Sequence, residues 1–281
     1  RLIGDFTVSK LSDERFMVFG SLHAQVHHMR WFEQHLPGDG SVSVEALGMK
    51  LAGLSIAGPK SRDVLAKLTD ADVSGETFRF MDVREMDLCA VPALVGRITY
   101  TGDLGYEIWV APEYVRRLYD AIMAAGGEFG IANFGVRALL SMRLEKDFPT
   151  WARELRPIYG PYEAGLGRFI DLEKDDFIGR DAAIKEKQDG PERLRVTFLV
   201  DAADADVIGD EPVWHRGEVV GWVTSGGYAH HVGKSVAQGY IPAGLAAGGT
   251  DGFEIEILGE RRSARLQHEP LFDPQGSRMR M

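Results

Sequence analysis

The sequence predicts an α+β protein whose last part is all-β. Three observations carry this. Helical and strand-like stretches are interspersed before residue 189, whereas beyond it short strands follow one another, divided by Gly, Pro and Asp. Hydrophobic residues make up 44% and charged residues 26% of the 281, the balance of a globular chain with room for a sizeable core.

At the N-terminal end, Leu2, Gly4, Phe6 and Val8 alternate with Ile3, Asp5, Thr7 and Ser9, the pattern of a half-buried strand. Such a strand needs something preceding or flanking it to pair with, so a piece of a longer protein is expected. A strand over Phe16–Phe19 leads into a helix with Leu22, Val26, Met29 and Phe32 spaced for one face, ended by Pro37, Gly38 and Gly40. LAGLSIAGPKSRDVL reads as a strand turning into a helix, followed by strands between Asp87 and Val95 and the hairpin RITYTGDLGYEIWV. EYVRRLYDAIMAAGG and FGVRALLSMRLEK are helical; in the second, Val136, Leu139, Leu140 and Leu144 are expected to face the core. VTFLV, EPVWH, EVVGWVTS, SVAQGYI and EIEIL then predict a sandwich or barrel.

Composition excludes several functions. A net charge of −10 opposes a general nucleic-acid or anionic-membrane role. No apolar run approaches the ~20 residues that span a bilayer, so no membrane partner is expected. The single cysteine, Cys89, rules out an intrachain disulfide framework and a cysteine-based zinc site, and fits a reducing, cytoplasmic setting.

Two motifs mislead. GYAHHVGKS ends like a phosphate loop, but five residues separate Gly227 from Gly233, and VAQGYIP after it reads as a strand. AGLGRFI lacks the third glycine of a dinucleotide turn. No metal is expected either: His230 and His231 point to opposite faces if in a strand, while His23, His27 and His28 read as a helix surface. Arg143 reads as a surface partner of Asp147 at i,i+4. The hairpin is more informative. Tyr106, Ile108 and Val110 point one way, while Glu107 and Trp109 point the other. A carboxylate beside an aromatic suits a flat heterocycle with adjacent N–H donors, although a solvated sheet face carrying one Glu is the commoner meaning of this pattern.

Taken together, RLIGDFTV, TYTGDLGYEIWV, FGVRALLSMRLEKDFPTW, AGLGRFIDLEKDDFIGRDA and GWVTSGGYAHHVGKSVAQGYIP resemble, in content and order, the tetrahydrofolate-binding aminomethyltransferase family of the glycine cleavage T-protein. RLEKDFPTW and the ending PLFDPQGSRMRM are most similar to the folate-binding C-terminal half of dimethylglycine and sarcosine dehydrogenases. The resemblance implies a multi-lobed fold. Residues 1–188 would form an N-terminally truncated folate-binding domain, with a ferredoxin-like α+β lobe inserted at about 40–130, and residues 189–281 a C-terminal β-barrel or jelly-roll.

It also implies one-carbon transfer to tetrahydrofolate, forming 5,10-methylenetetrahydrofolate from an iminium or aminomethyl donor. FAD would belong only to a fused or associated flavin oxidase domain outside this chain. The alternatives are a folate-dependent methyltransferase or demethylase of a sulfonium or O-methyl substrate, and a non-catalytic folate-holding module. The matching positions assign Asp5 to the reacting folate nitrogens, Glu107 and Tyr100 to the pterin, and Arg137 to the carboxylate tail. Trp151 stands where the family has a tyrosine, keeping the aromatic wall and losing the hydroxyl. DFIGRDA replaces the cysteine motif of the tRNA-modifying branch.

Overall fold

A computed structural model describes residues 1–281. The elements, in chain order, are β1 (Thr7–Lys10), β2 (Phe16–Phe19), α1 (Gln25–His35), β3 (Ala52–Ala57), α2 (Ser61–Ala66), β4 (Val83–Leu88), β5 (Val91–Gly96) and β6 (Gly105–Val110). They continue with α3 (Val115–Gly126), α4 (Val136–Glu145), α5 (Arg180–Asp189), β7 (Arg193–Val200), β8 (Pro212–His215), β9 (Glu218–Ala229), β10 (Lys234–Pro242), α6 (Ala243–Ala246), β11 (Phe253–Ile257) and β12 (Glu260–Gln267). The chain forms two compact units, and neither is continuous in sequence. One comprises Phe6–Leu139 and Asp273–Met281, the other Arg1–Asp5 and Leu140–Phe272.

In the first unit an antiparallel sheet runs β3-β6-β5-β4. Its connectivity is strand, helix, three strands, helix, with the second helix after the last strand. Alternation along β6 buries Tyr106, Ile108 and Val110, which form one core with Val64 and Leu65 of α2 and Leu118 and Ile122 of α3. Burying each such aliphatic side chain contributes about 1.5–3 kcal/mol. That packing leaves Glu107 and Trp109 on the opposite face, as the period of a strand requires. There the β1–β2 pair lies against them, with Phe19 stacked on Trp109 at 4.1 Å between ring centres.

In the second unit β7–β12 close into an antiparallel six-stranded barrel of order β10-β7-β12-β11-β8-β9. Phe198, Val213, Val223, Ala237, Phe253, Ile255 and Leu266 fill it. Closure brings backbones very close. A Cβ on Gly239, beside a bulge in the β9–β10 register, would stand 2.5 Å from the Trp222 carbonyl oxygen.

Several sequence expectations are corrected. The first strand is Thr7–Lys10, with Ser9 buried and Val8 59% exposed. Of the face expected along α1, Met29 and Phe32 are half-buried but Leu22 and Val26 are exposed, and the fully covered positions are Ala24, just before the helix, and His28. His28, expected on a helix surface, is 4% exposed and meets the edge of Phe6 at 4.6 Å. In α4 Leu144 is buried, but Val136 and Leu140 are exposed. The hairpin before β6 is looser than its turn residues imply, since β5 ends at Gly96 and residues 97–104 form an irregular loop. Spacing reveals which residues share a face, whereas the neighbouring elements decide which face is covered.

Candidate functional site

The face of β6 opposite the helices carries Glu107. Its pocket is lined by Thr7 and Ser9 of β1, Phe19 of β2, Met81 and Asp82, Val83 of β4, Ile98 and Trp109. It is small, about 10 Å³, room for roughly one water. Burial alone pushes the Glu107 carboxyl pKa up, with no cation or hydrogen-bond donor of the protein opposing the shift. A half-buried carboxylate without such donors, beside an indole, keeps acceptor capacity that a ligand could use. Two adjacent N–H groups on a planar ring, as a pterin edge presents, fit that capacity. The pocket, at about 10 Å³, is smaller than such a ring.

Of the other sequence-nominated residues, Tyr100 is half-buried in the loop leading into β6, within Glu107's unit, but does not line the pocket. Arg137 is exposed on the first turn of α4. Asp5 and Trp151 belong to the barrel-containing unit. Asp5 is solvent-accessible, yet desolvation by surrounding protein raises its carboxyl pKa, which strengthens it as a proton acceptor. A larger cleft of about 510 Å³ lies in the Glu107 unit between β3, α3 and residues 129–134, and none of the five residues lines it.

Trp151 sits, half-buried, in a segment held by a buried polar network. Glu154 is 0% exposed and accepts from the Thr150 amide at 2.8 Å and the Ser225 hydroxyl at 2.6 Å. Arg143 Nη1 reaches Glu154 at 3.2 Å, Gln238 at 2.8 Å and the Phe148 carbonyl at 3.0 Å. The expected surface pair of Arg143 with Asp147 is therefore replaced by a buried one with Glu154. Asp147 instead takes a two-pronged contact from Arg195, at 2.8 and 3.0 Å, and hydrogen bonds from Thr197 and Gln238. Arg143 sits at an interior position of its helix because barrel residues from β9 and β10 supply its cover, which i,i+4 spacing cannot reveal.

Sequence reasoning missed Thr7, Ser9, Phe19, Met81 and Asp82 around Glu107. Phe19 carried a usable signal, a large apolar residue ending a short strand. Met81 carried none, since its left-handed backbone, φ 75°, is rare for a side chain of its kind. No group of three or more His, Cys, Asp or Glu is arranged to hold a metal ion, and no helix is long and apolar enough to cross a membrane.

The fold defines a class of protein. It matches the glycine cleavage system aminomethyltransferase T structure from Bartonella henselae at a TM-score of 0.83, over 97% of this chain and 73% of that one, at 23% identity. Residues 1–174 match the GCVT N-terminal domain family and residues 193–273 the glycine cleavage T-protein C-terminal barrel domain. The chain therefore belongs to the glycine cleavage T-protein family. It is 38% identical, over its whole length, to human mitochondrial dimethylglycine dehydrogenase, of which it spans 33%. It is 30% identical over 98% of its length to an aminomethyltransferase of Desulfitobacterium hafniense, covering 74% of that protein.

Proposed function

We propose that this chain is the tetrahydrofolate-binding part of a one-carbon transferase, forming 5,10-methylenetetrahydrofolate from an N-methyl amine-derived iminium or an aminomethyl donor. The observation that carries this reading is Glu107, a desolvated carboxylate without an internal donor, set beside Trp109. Membership of the family supports the reaction class. Whole-length similarity to one third of dimethylglycine dehydrogenase supports a place in a longer protein with a flavin oxidase domain. In this reading residues 1–188 form the folate-binding domain and residues 189–281 the C-terminal barrel domain.

Tetrahydrofolate supplies nucleophilic nitrogens that accept the one-carbon unit. Glu107 accepts hydrogen bonds from the pterin edge, Tyr100 and Trp151 provide aromatic surface, and Arg137 pairs with the carboxylate tail. Orientation of this kind contributes much of the gain when two reactants must meet. Asp5, with its raised pKa, takes or steers the proton released on condensation, a role worth about 10²–10⁴-fold in rate. Walls that exclude water also keep a reactive iminium or formaldehyde equivalent from escaping.

In the full-length protein, Asp5→Ala should slow methylene transfer by about 10²–10⁴-fold while leaving most of the tetrahydrofolate affinity. Transfer at the parental rate would contradict the assignment. 5-Methyltetrahydrofolate as product would replace methylene transfer with methyl transfer.

A further inference from the structure

The residues that follow the barrel, Asp273–Met281, belong by contact to the unit that carries Glu107. All but the first lie beyond the segment matched by the barrel family, which ends at residue 273. Asp273 organises their turn, accepting from the Ser277 amide at 3.0 Å and the Arg278 amide at 3.1 Å. Arg278 Nη1 reaches Asp103 at 3.3 Å, in the loop entering β6. Met279 is 8% exposed, and the Met281 oxygen accepts from both Arg62 and Arg97.

Arg97 connects this segment to the pocket. It is 1% exposed, and Nη1 donates to the Phe78 carbonyl at 2.6 Å. A buried guanidinium needs acceptors on several of its five N–H groups, and the segment's oxygen provides one that no neighbouring strand does. The Arg97 backbone is tied at both ends: its amide donates to the Asp82 carbonyl at 2.8 Å, and its carbonyl accepts from the Met81 amide at 2.9 Å. Met81, Asp82 and the adjacent Ile98 are walls of the Glu107 pocket. The uncommon backbone of Met81 persists only where its surroundings over-determine it.

We propose that the segment Asp273–Met281 is a positioning element for Glu107, holding Arg97 and through it the Met81, Asp82 and Ile98 walls of the pocket. Its functional consequence rests on the folate reading above, whereas its structural consequence needs no ligand. The test is deletion of residues 278–281 in the full-length protein, with Arg278→Ala alongside as the milder variant.

Amide exchange at Met81 and Arg97 should quicken by about tenfold or more while the Ile108 amide in the core strand is unchanged. Tetrahydrofolate affinity should fall about tenfold, and this loss should largely vanish in a Glu107→Gln background, because the two changes act on one contact. Unchanged exchange at Met81 and Arg97, or affinity losses that simply add, would overturn the proposal. If the deletion unfolds the protein, Arg278→Ala carries the same readouts with a smaller effect, about threefold. If the parent protein does not bind tetrahydrofolate, the folate reading falls and the exchange rates still decide the segment's role.

Discussion

Glu107 and Glu154 are carboxylates withdrawn from water, and their surroundings drive them in opposite directions. At Glu154 desolvation pushes the pKa up, but the Arg143 charge, the Ser225 and Thr224 hydroxyls and the Thr150 amide together outweigh it, leaving the pKa lowered. At Glu107 desolvation acts unopposed and the pKa is raised. A group whose folded pKa is lowered stabilises the fold while ionised, and that contribution is lost as pH falls through the folded value. A raised carboxyl pKa has the reverse effect, because ionisation above it works against folding. Glu154→Gln should therefore cost about 3–5 kcal/mol at neutral pH, since it strands the buried Arg143 charge, with the deficit shrinking in acid; denaturant titrations at pH 7 and pH 4 would measure both. Glu107→Gln should be at least as stable as the parent at neutral pH, with the difference disappearing at low pH. A loss of stability at neutral pH would mean that the carboxylate has a partner in the fold. The face that Glu107 shares with Trp109, opposite Tyr106 and Ile108, was legible from strand alternation, whereas its nomination as a site residue came from the resemblance. Glu154 was not, because its partners lie at residues 143, 150 and 225, and local spacing cannot join them.

Among the elements, the barrel strands were the most legible. Turn residues divide them, and β-branched and aromatic residues fill them, so their order along the chain could be read directly. Closure could not, because it depends on β9 and β10 approaching until glycine alone fits. Gly239→Ala places a Cβ 2.5 Å from the Trp222 carbonyl oxygen and should destabilise the barrel by about 1–3 kcal/mol, the usual cost of overpacking; thermal unfolding would show it, and an unchanged transition would mean that the strands can part without penalty. The helices were legible as helices and misread in orientation. The stripe of Leu22, Val26, Met29 and Phe32 is covered only in its second half: Leu22 and Val26 are exposed, while Phe6 packs against both His28 and Phe32. A resemblance spread over ordered motifs located the candidate site where periodicity alone could only describe a sheet face.

At the scale of the whole molecule, the chain combines a two-layer α/β unit, which presents Glu107 on the sheet face turned away from its helices, with a unit built around a closed barrel. It spans about a third of the dimethylglycine dehydrogenase that it resembles, and the proposed function assigns folate capture to the residues described above and the choice of amine to a larger protein. The claim most directly open to test is that Glu107 grips the pterin edge. An anaerobic titration with tetrahydrofolate, run in parallel on the parent and on Glu107→Gln, measures it. Saturable binding by the parent is expected, with a loss of at least about tenfold in the variant, roughly 1.4 kcal/mol. Equal affinities in two folded proteins would contradict it.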